Sequence, residues 1–196
     1  MASARDRLPH KTIRPIILAV VAIGVAQICA PVGAQSPSRA TNPSSSLTLT
    51  GGTAPYAAGQ LIANSSTGFS VTNPFFVLPP GGAAIARLRL STNDATSTAW
   101  GGQIIQVDLW SASPTWTNGD HGAWAPATGT GSHLASFICA MSPEYGDGAY
   151  AECAANVGSP GKLPGATQIY WSLQAITGSG LTDSGRTFTL TAELLD

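Results

Sequence analysis

Outside an N-terminal leader the chain carries two histidines, His121 and His133, and these bound any acid–base or metal chemistry. Catalytic zinc takes three protein ligands and keeps a fourth position open. Here a loop and the start of a strand would have to supply them, without HExxH or His-x-His spacing, although Asp120 adjoins His121. Two surface imidazoles are the simpler account, and no metal is expected. A serine hydrolase needs Ser, His and Asp to converge. Serines are plentiful, but Gly-x-Ser-x-Gly is absent, and Gly178-Ser179-Gly180 and Gly158-Ser159-Pro160 read as turns. A glycosidase needs two carboxylates at a set separation. Asp108, Glu144, Asp147 and Glu152 qualify by type, Asp108 foremost because it falls on the polar side of a strand; solvated or hydrogen-bonded acids explain all four more simply. Asn118-Gly119-Asp120 and Glu144 to Gly148 offer oxygen ligands without the spaced series of a calcium loop. The sequence therefore points to no catalytic residue, no metal, no cofactor and no enzyme.

What remains is aromatic. Trp100, Trp116 and Trp124 fall in loops, the last two around the turn Asn118-Gly119-Asp120-His121-Gly122. Loops on a rigid scaffold commonly carry binding surfaces, and loop aromatics are enriched at interfaces. Trp100, Trp116, Asn118, Asp120, His121 and Trp124 are thus a candidate surface for a glycan or a protein. The alternative is that the indoles plug the open end of the fold, and both readings stand. Asn64-Ser65-Ser66 is a glycosylation sequon, meaningful in a host that uses it.

The elements that must position these residues are strands. From Gln103 to Trp110, Ile105, Val107 and Leu109 alternate with Gln106 and Asp108, the two-residue period of a half-buried strand. Ala83 to Thr92 alternates Leu88 and Leu90 with Arg87 and Arg89, placing the arginines on a solvent- or subunit-facing side. His133–Met141, Thr167–Ile176 and Arg186–Leu195 follow the same pattern, with shorter runs at Leu47–Thr50, Tyr56–Ala63, Thr67–Val71 and Phe75–Leu78. Ser142 to Gly165, with three prolines, reads as a turn-rich excursion. No stretch after the leader holds a helical period over three turns. Eight or nine short strands with Gly/Pro turns predict an all-β fold, an antiparallel β-sandwich or jelly roll.

The leader has its own logic. Arg5, Arg7, Lys11 and Arg14 precede an apolar run from Ile16 to Ala30 and small residues before a cut after Ala34, the layout of a secretory signal peptide. The run is short for a span of roughly 30 Å. Residues 35–46, rich in Pro, Ser and Asn, read as a flexible arm, and 47–196 as a single domain. Beyond residue 34, five Lys/Arg stand against nine Asp/Glu, a formal charge of −4. That excludes nucleic acid and, after signal cleavage, an anionic membrane as natural partners. Cys29 leaves with the leader, and in an oxidising compartment Cys139 and Cys153 are expected to pair.

Several stretches carry a resemblance. Tyr56-Ala57-Ala58-Gly59-Gln60-Leu61-Ile62-Ala63, Arg87-Leu88-Arg89-Leu90-Ser91-Thr92, Val107-Asp108-Leu109-Trp110-Ser111-Ala112-Ser113-Pro114-Thr115, and Ile169-Tyr170 through Ala175 with Gly185 to Leu190 resemble strand-and-turn motifs of small β-rich structural proteins of tailed phages and prophages. The resemblance spans most of residues 54–195. It implies a non-enzymatic virion or head-decoration role, with self-association as a trimer or larger, or seating on a capsid-like surface. The competing expectation is a secreted carbohydrate- or protein-binding module using the loop tryptophans. The signal peptide implies a secreted, periplasmic or cell-surface protein; the resemblance implies a virion.

Overall fold

The computed structural model describes residues 42–50, 54–93, 100–128, 132–144, 148–157, 161–165, 167–178 and 186–195. The signal peptide assigned to 1–34 and the arm as far as residue 41 lie outside the described residues. In chain order the strands are β1 (Ser44–Thr48), β2 (Leu61–Ile62), β3 (Phe75–Val77), β4 (Ala84–Thr92), β5 (Ile104–Trp110), β6 (Thr115–Trp116), β7 (Pro126–Thr128), β8 (His133–Ala140), β9 (Ser142–Glu144), β10 (Gly148–Val157), β11 (Gln168–Ala175) and β12 (Thr187–Leu195). The fold is all-β and antiparallel, in a sandwich-like arrangement. The count exceeds the expected eight or nine because several strands are only two or three residues long.

The main sheet runs β1-β12-β4-β10-β8-β5-β11-β2, with β3 also on β11 and β9 on β10. It doubles over at β10. Ala149 to Cys153 pair with β4, whereas Ala154 to Val157 pair with β8. The two halves thereby turn their apolar faces toward one core. Leu88 and Leu90 of β4 and Phe188, Leu190 and Ala192 of β12 meet Val107 and Leu109 of β5, Phe137 of β8, and Trp171 and Leu173 of β11. Each set is spaced by two, as a one-sided strand requires.

Cys139 and Cys153 are joined, with Cα atoms 4.2 Å apart. The bond fastens β8 to β10 where β10 changes partners, and both cysteines are buried in the core. It closes a loop of 14 residues. On the outer face of the first half, Arg87 and Arg89 sit between Glu152 and Glu193, the shortest contact being Arg87 to Glu152 at 3.1 Å. The arginines do face outward, as their alternation predicted, and neighbouring strands neutralise them.

Three expectations need correction. The excursion from Ser142 to Gly165 contains β10, one of the longest strands and the one linking both halves. Its inward residues Ala149, Ala151 and Cys153 are small, so the stretch lacked the β-branched and aromatic signature of a strand. Thr67–Val71 is not a strand; Gly68–Ser70 forms one 3-10 turn. The first strand begins at Ser44, so the end of the supposed arm pairs with β12, where Ser46 and Thr189 share a hydrogen bond of 2.9 Å.

Removing the disulfide, by reductant or by Cys139→Ser with Cys153→Ser, is expected to lower unfolding stability by about 3 kcal/mol, the chain-entropy value for a loop of this size. Denaturant titration checks it. An unchanged midpoint would show that the ladder alone holds the changeover.

Candidate functional site

On an ordinary sandwich the outward residues of β5 would meet water. Here they do not. The chain after Trp110 returns over the outer face of the second half as the β6–β7 ribbon and builds a second apolar cluster there, comprising Leu61, Ala63, Trp110 and Trp116, with Val71, Trp124 and Tyr170 packed against it. Trp116 is fully buried, and its indole N–H donates to Asn73 Oδ1 at 2.9 Å. Asn73 in turn donates to Pro114 O at 2.7 Å and Ser113 Oγ at 3.0 Å. Trp110 is buried beneath, donating to Ser172 Oγ at 3.0 Å.

The turn 118–122 anchors this returning segment. The Asp120 carboxylate accepts from Tyr56 Oη at 2.8 Å and from the Ala63 backbone N–H at 2.7 Å, both at Oδ1. The His121 ring stacks on Tyr56, centroids 3.9 Å apart. Backbone bonds continue the seam: Leu61 N to Gly122 O at 2.8 Å, Asp120 N to Ser65 O at 2.7 Å and Trp124 N to Gly59 O at 2.9 Å. Gly119 is pressed so closely on the 65–67 backbone that an added Cβ would lie 2.3 Å from Ser66 O. Asn118 stays within the turn, donating to Ala123 O at 3.0 Å.

The predicted surface therefore separates into parts. Trp100 and Trp116 are completely buried and present no surface. Trp100 packs edge-on against Phe188 at 4.8 Å in the main core, and Trp116 belongs to the second cluster on the outer face. Asn118, Asp120 and His121 form the clamp between two loops. Trp124 alone of the five tryptophans is only partly buried, and it borders a cleft.

That cleft encloses about 320 Å³, at the low end of ligand sites. Trp110, Trp124, Pro126 and His133 wall it, and Gln106, Asp108 and Ser136 line its floor. Ladder register makes the floor: Asp108 lies directly opposite Ser136 on β8 and Ser172 on β11. A bulge between Leu109 and Trp110 and their β8 partners then sets His133 opposite Trp110, rings 4.9 Å apart. Bulges commonly re-aim a side chain in this way.

Asp108 is the centre of the network, its side chain only 1% exposed beside a His133 that is 28% exposed. Burying a carboxylate without donors is strongly unfavourable. Here Gln106 Nε2 donates to both oxygens, at 3.0 and 3.1 Å, and the Ser136 hydroxyl donates to Oδ1. His133 Nε2 lies 3.2 Å from Oδ1 and 3.0 Å from Ser136 Oγ. Because the hydroxyl hydrogen is committed to Asp108, and a carboxylate only accepts, Nε2 must carry the proton that serves both contacts. This differs from a serine–histidine–aspartate relay, in which serine donates to Nε2 and the carboxylate holds Nδ1.

Sequence reasoning placed Asp108 correctly on a polar strand face but did not reach Gln106, Ser136 or Tyr56, and treated His133 as a surface imidazole. The alternation Gln106-x-Asp108-x-Trp110 was a usable signal for one face. The approach of Ser136 and His133 depends on β8 register and a bulge, which no local pattern encodes. Among the described residues no group of three or more His, Cys, Asp or Glu is arranged to hold a metal ion. Compared with protein-family models, with curated proteins and with solved structures, the chain gives no match.

Asp120→Ala leaves the Ala63 N–H without its partner and is expected to destabilise by about 1–3 kcal/mol. Amide hydrogen exchange should show residues 61–63 and 119–124 losing protection ahead of β5. Unaltered protection in that seam would mean that backbone pairing alone holds the ribbon down.

Proposed function

We propose that this is an exported, non-enzymatic β-sandwich module that binds a hydroxylated ligand, a carbohydrate, in the cleft floored by Asp108. The observation carrying the reading is the pairing of a partly exposed indole, Trp124, with a buried carboxylate whose amide, hydroxyl and imidazole neighbours converge at the same hollow. A sugar offers both surfaces such a site needs, an apolar C–H face for the ring and hydroxyls for the acceptors. The buried disulfide supports an oxidising compartment. Among the described residues no helix is long and apolar enough to cross a membrane.

A second reading, decoration-type self-association of the kind the phage-like motifs imply, draws on a different surface. Phe75 and Val77 are 42% and 48% exposed on the sheet-edge strand β3, and Phe69 nearby in sequence is 82% exposed. Exposed apolar groups on one short segment favour a protein contact.

A glycan array followed by calorimetry tests the first reading. The native protein should bind at least one glycan, and Trp124→Ala should weaken it by roughly tenfold, the loss typical of an aromatic anchor. Failure of every glycan, or indifference to Trp124→Ala, would sink it. Light scattering tests the second: a trimer or larger is expected, reverting toward monomer with Phe75→Ser, and a clean native monomer rules it out.

A further inference from the structure

Resting on the cleft reading above, we infer that the site selects its sugar by charge, taking an amino sugar with a free ammonium group over its N-acetylated or acidic counterparts. The Asp108 carboxylate is used unevenly. Oδ1 takes three donors, from Gln106, Ser136 and His133, whereas Oδ2 takes only Gln106 Nε2, at 3.1 Å. An ionised carboxylate has about four acceptor positions. Oδ2 therefore retains capacity, and Asp108 borders the cleft.

The donors already present are side chains of Gln, Ser and His. None of the described residues lining the cleft is Lys or Arg. The described arginines of the sheet, Arg87 and Arg89, are engaged with Glu152 and Glu193 on the other half. Asp108 thus lies in a nearly solvent-free position with no Lys or Arg cation opposite it, His133 at 3.2 Å being the neighbour that can carry a positive charge. A ligand ammonium would supply that cation through a charge-assisted hydrogen bond, roughly twice as strong as a neutral one.

The walls favour the same group. Trp124 is the partly exposed indole of the cleft; Trp110, 6.2 Å from it by ring centroid and tilted by 31°, is buried. Cations gain from indole faces, more so where water is excluded. An acetyl group would remove the charge and add bulk against these walls. A uronate would set a second carboxylate toward Asp108, which is repulsive at close range. The net charge of −4 beyond the leader draws in cationic ligands and disfavours acidic ones.

The test compares glucosamine oligomers, N-acetylglucosamine oligomers and oligogalacturonates of matched length by calorimetry on the native protein. The glucosamine oligomer should bind about tenfold or more tightly than the acetylated one, and the uronate should not bind. Raising salt should erode the first affinity. Asp108→Asn should remove the preference; because that position is buried, circular dichroism and a melting curve accompany the variant, and the native-protein comparison does not depend on it. Equal affinity for free and acetylated amines overturns the charge inference while leaving the carbohydrate reading intact. Binding of neutral sugars alone does the same. Absence of binding to these and every other glycan overturns both.

Discussion

The return of the β6–β7 ribbon over the second half of the sheet governs everything that distinguishes this molecule from a plain sandwich. Its anchor is the Asp120 carboxylate, which accepts from a phenol and a backbone N–H sixty-four and fifty-seven residues away in sequence. A buried acceptor satisfied by two donors is stabilising only when both arrive together, since either one lost leaves a desolvated group behind. The clamp therefore couples the 56–63 segment to the 118–124 turn. With it in place, Trp116 is driven into the space over Trp110, and the outer face of β5 is no longer a solvent face. Without it, Trp110, Trp116 and Leu61 would stand exposed together, an apolar patch that soluble proteins avoid.

That arrangement explains why so much of the fold was legible and so little of the site. The strands around Leu88-x-Leu90, Val107-x-Leu109 and Leu190-x-Ala192 announce their inner faces by period alone, because one side of each is buried. The outer face of the second half breaks that rule. Trp110 looks like the end of a strand and Trp116 like a loop aromatic, yet both are core residues of a second cluster formed by chain return. Local pattern records how a strand meets its own sheet, not which distant segment will cover it. The same blindness hid β10. Ala149, Ala151 and Cys153 are the buried residues of β10, opposite Thr92, Leu90 and Leu88 of β4, and a chain of alanines carries no strand signature.

The two outer faces of the sheet handle charge in opposite ways, and the contrast bears on function. On the first, two arginines and two glutamates alternate across β4, β10 and β12 at about half exposure. Such pairs contribute little to stability, at most about 1 kcal/mol each, and they leave the face electrically quiet. On the second, the one carboxylate at the centre of β5 is taken almost wholly from water and given only hydrogen bonds from uncharged partners and an imidazole. A hydrophobic residue at position 108 would pack against Trp110 and Trp124 without needing Gln106, Ser136 or His133 to be held in register. Replacing a buried ionic group by an apolar one of similar size is often neutral or stabilising. The carboxylate is thus poorly explained as a stabilising element, whereas at the floor of a cleft bordered by a partly open indole it is well placed to recognise a ligand. Stability accounts for the tryptophans that the sequence made conspicuous; the aspartate that it set first among four candidate carboxylates is the residue on which the proposed ligand reading rests.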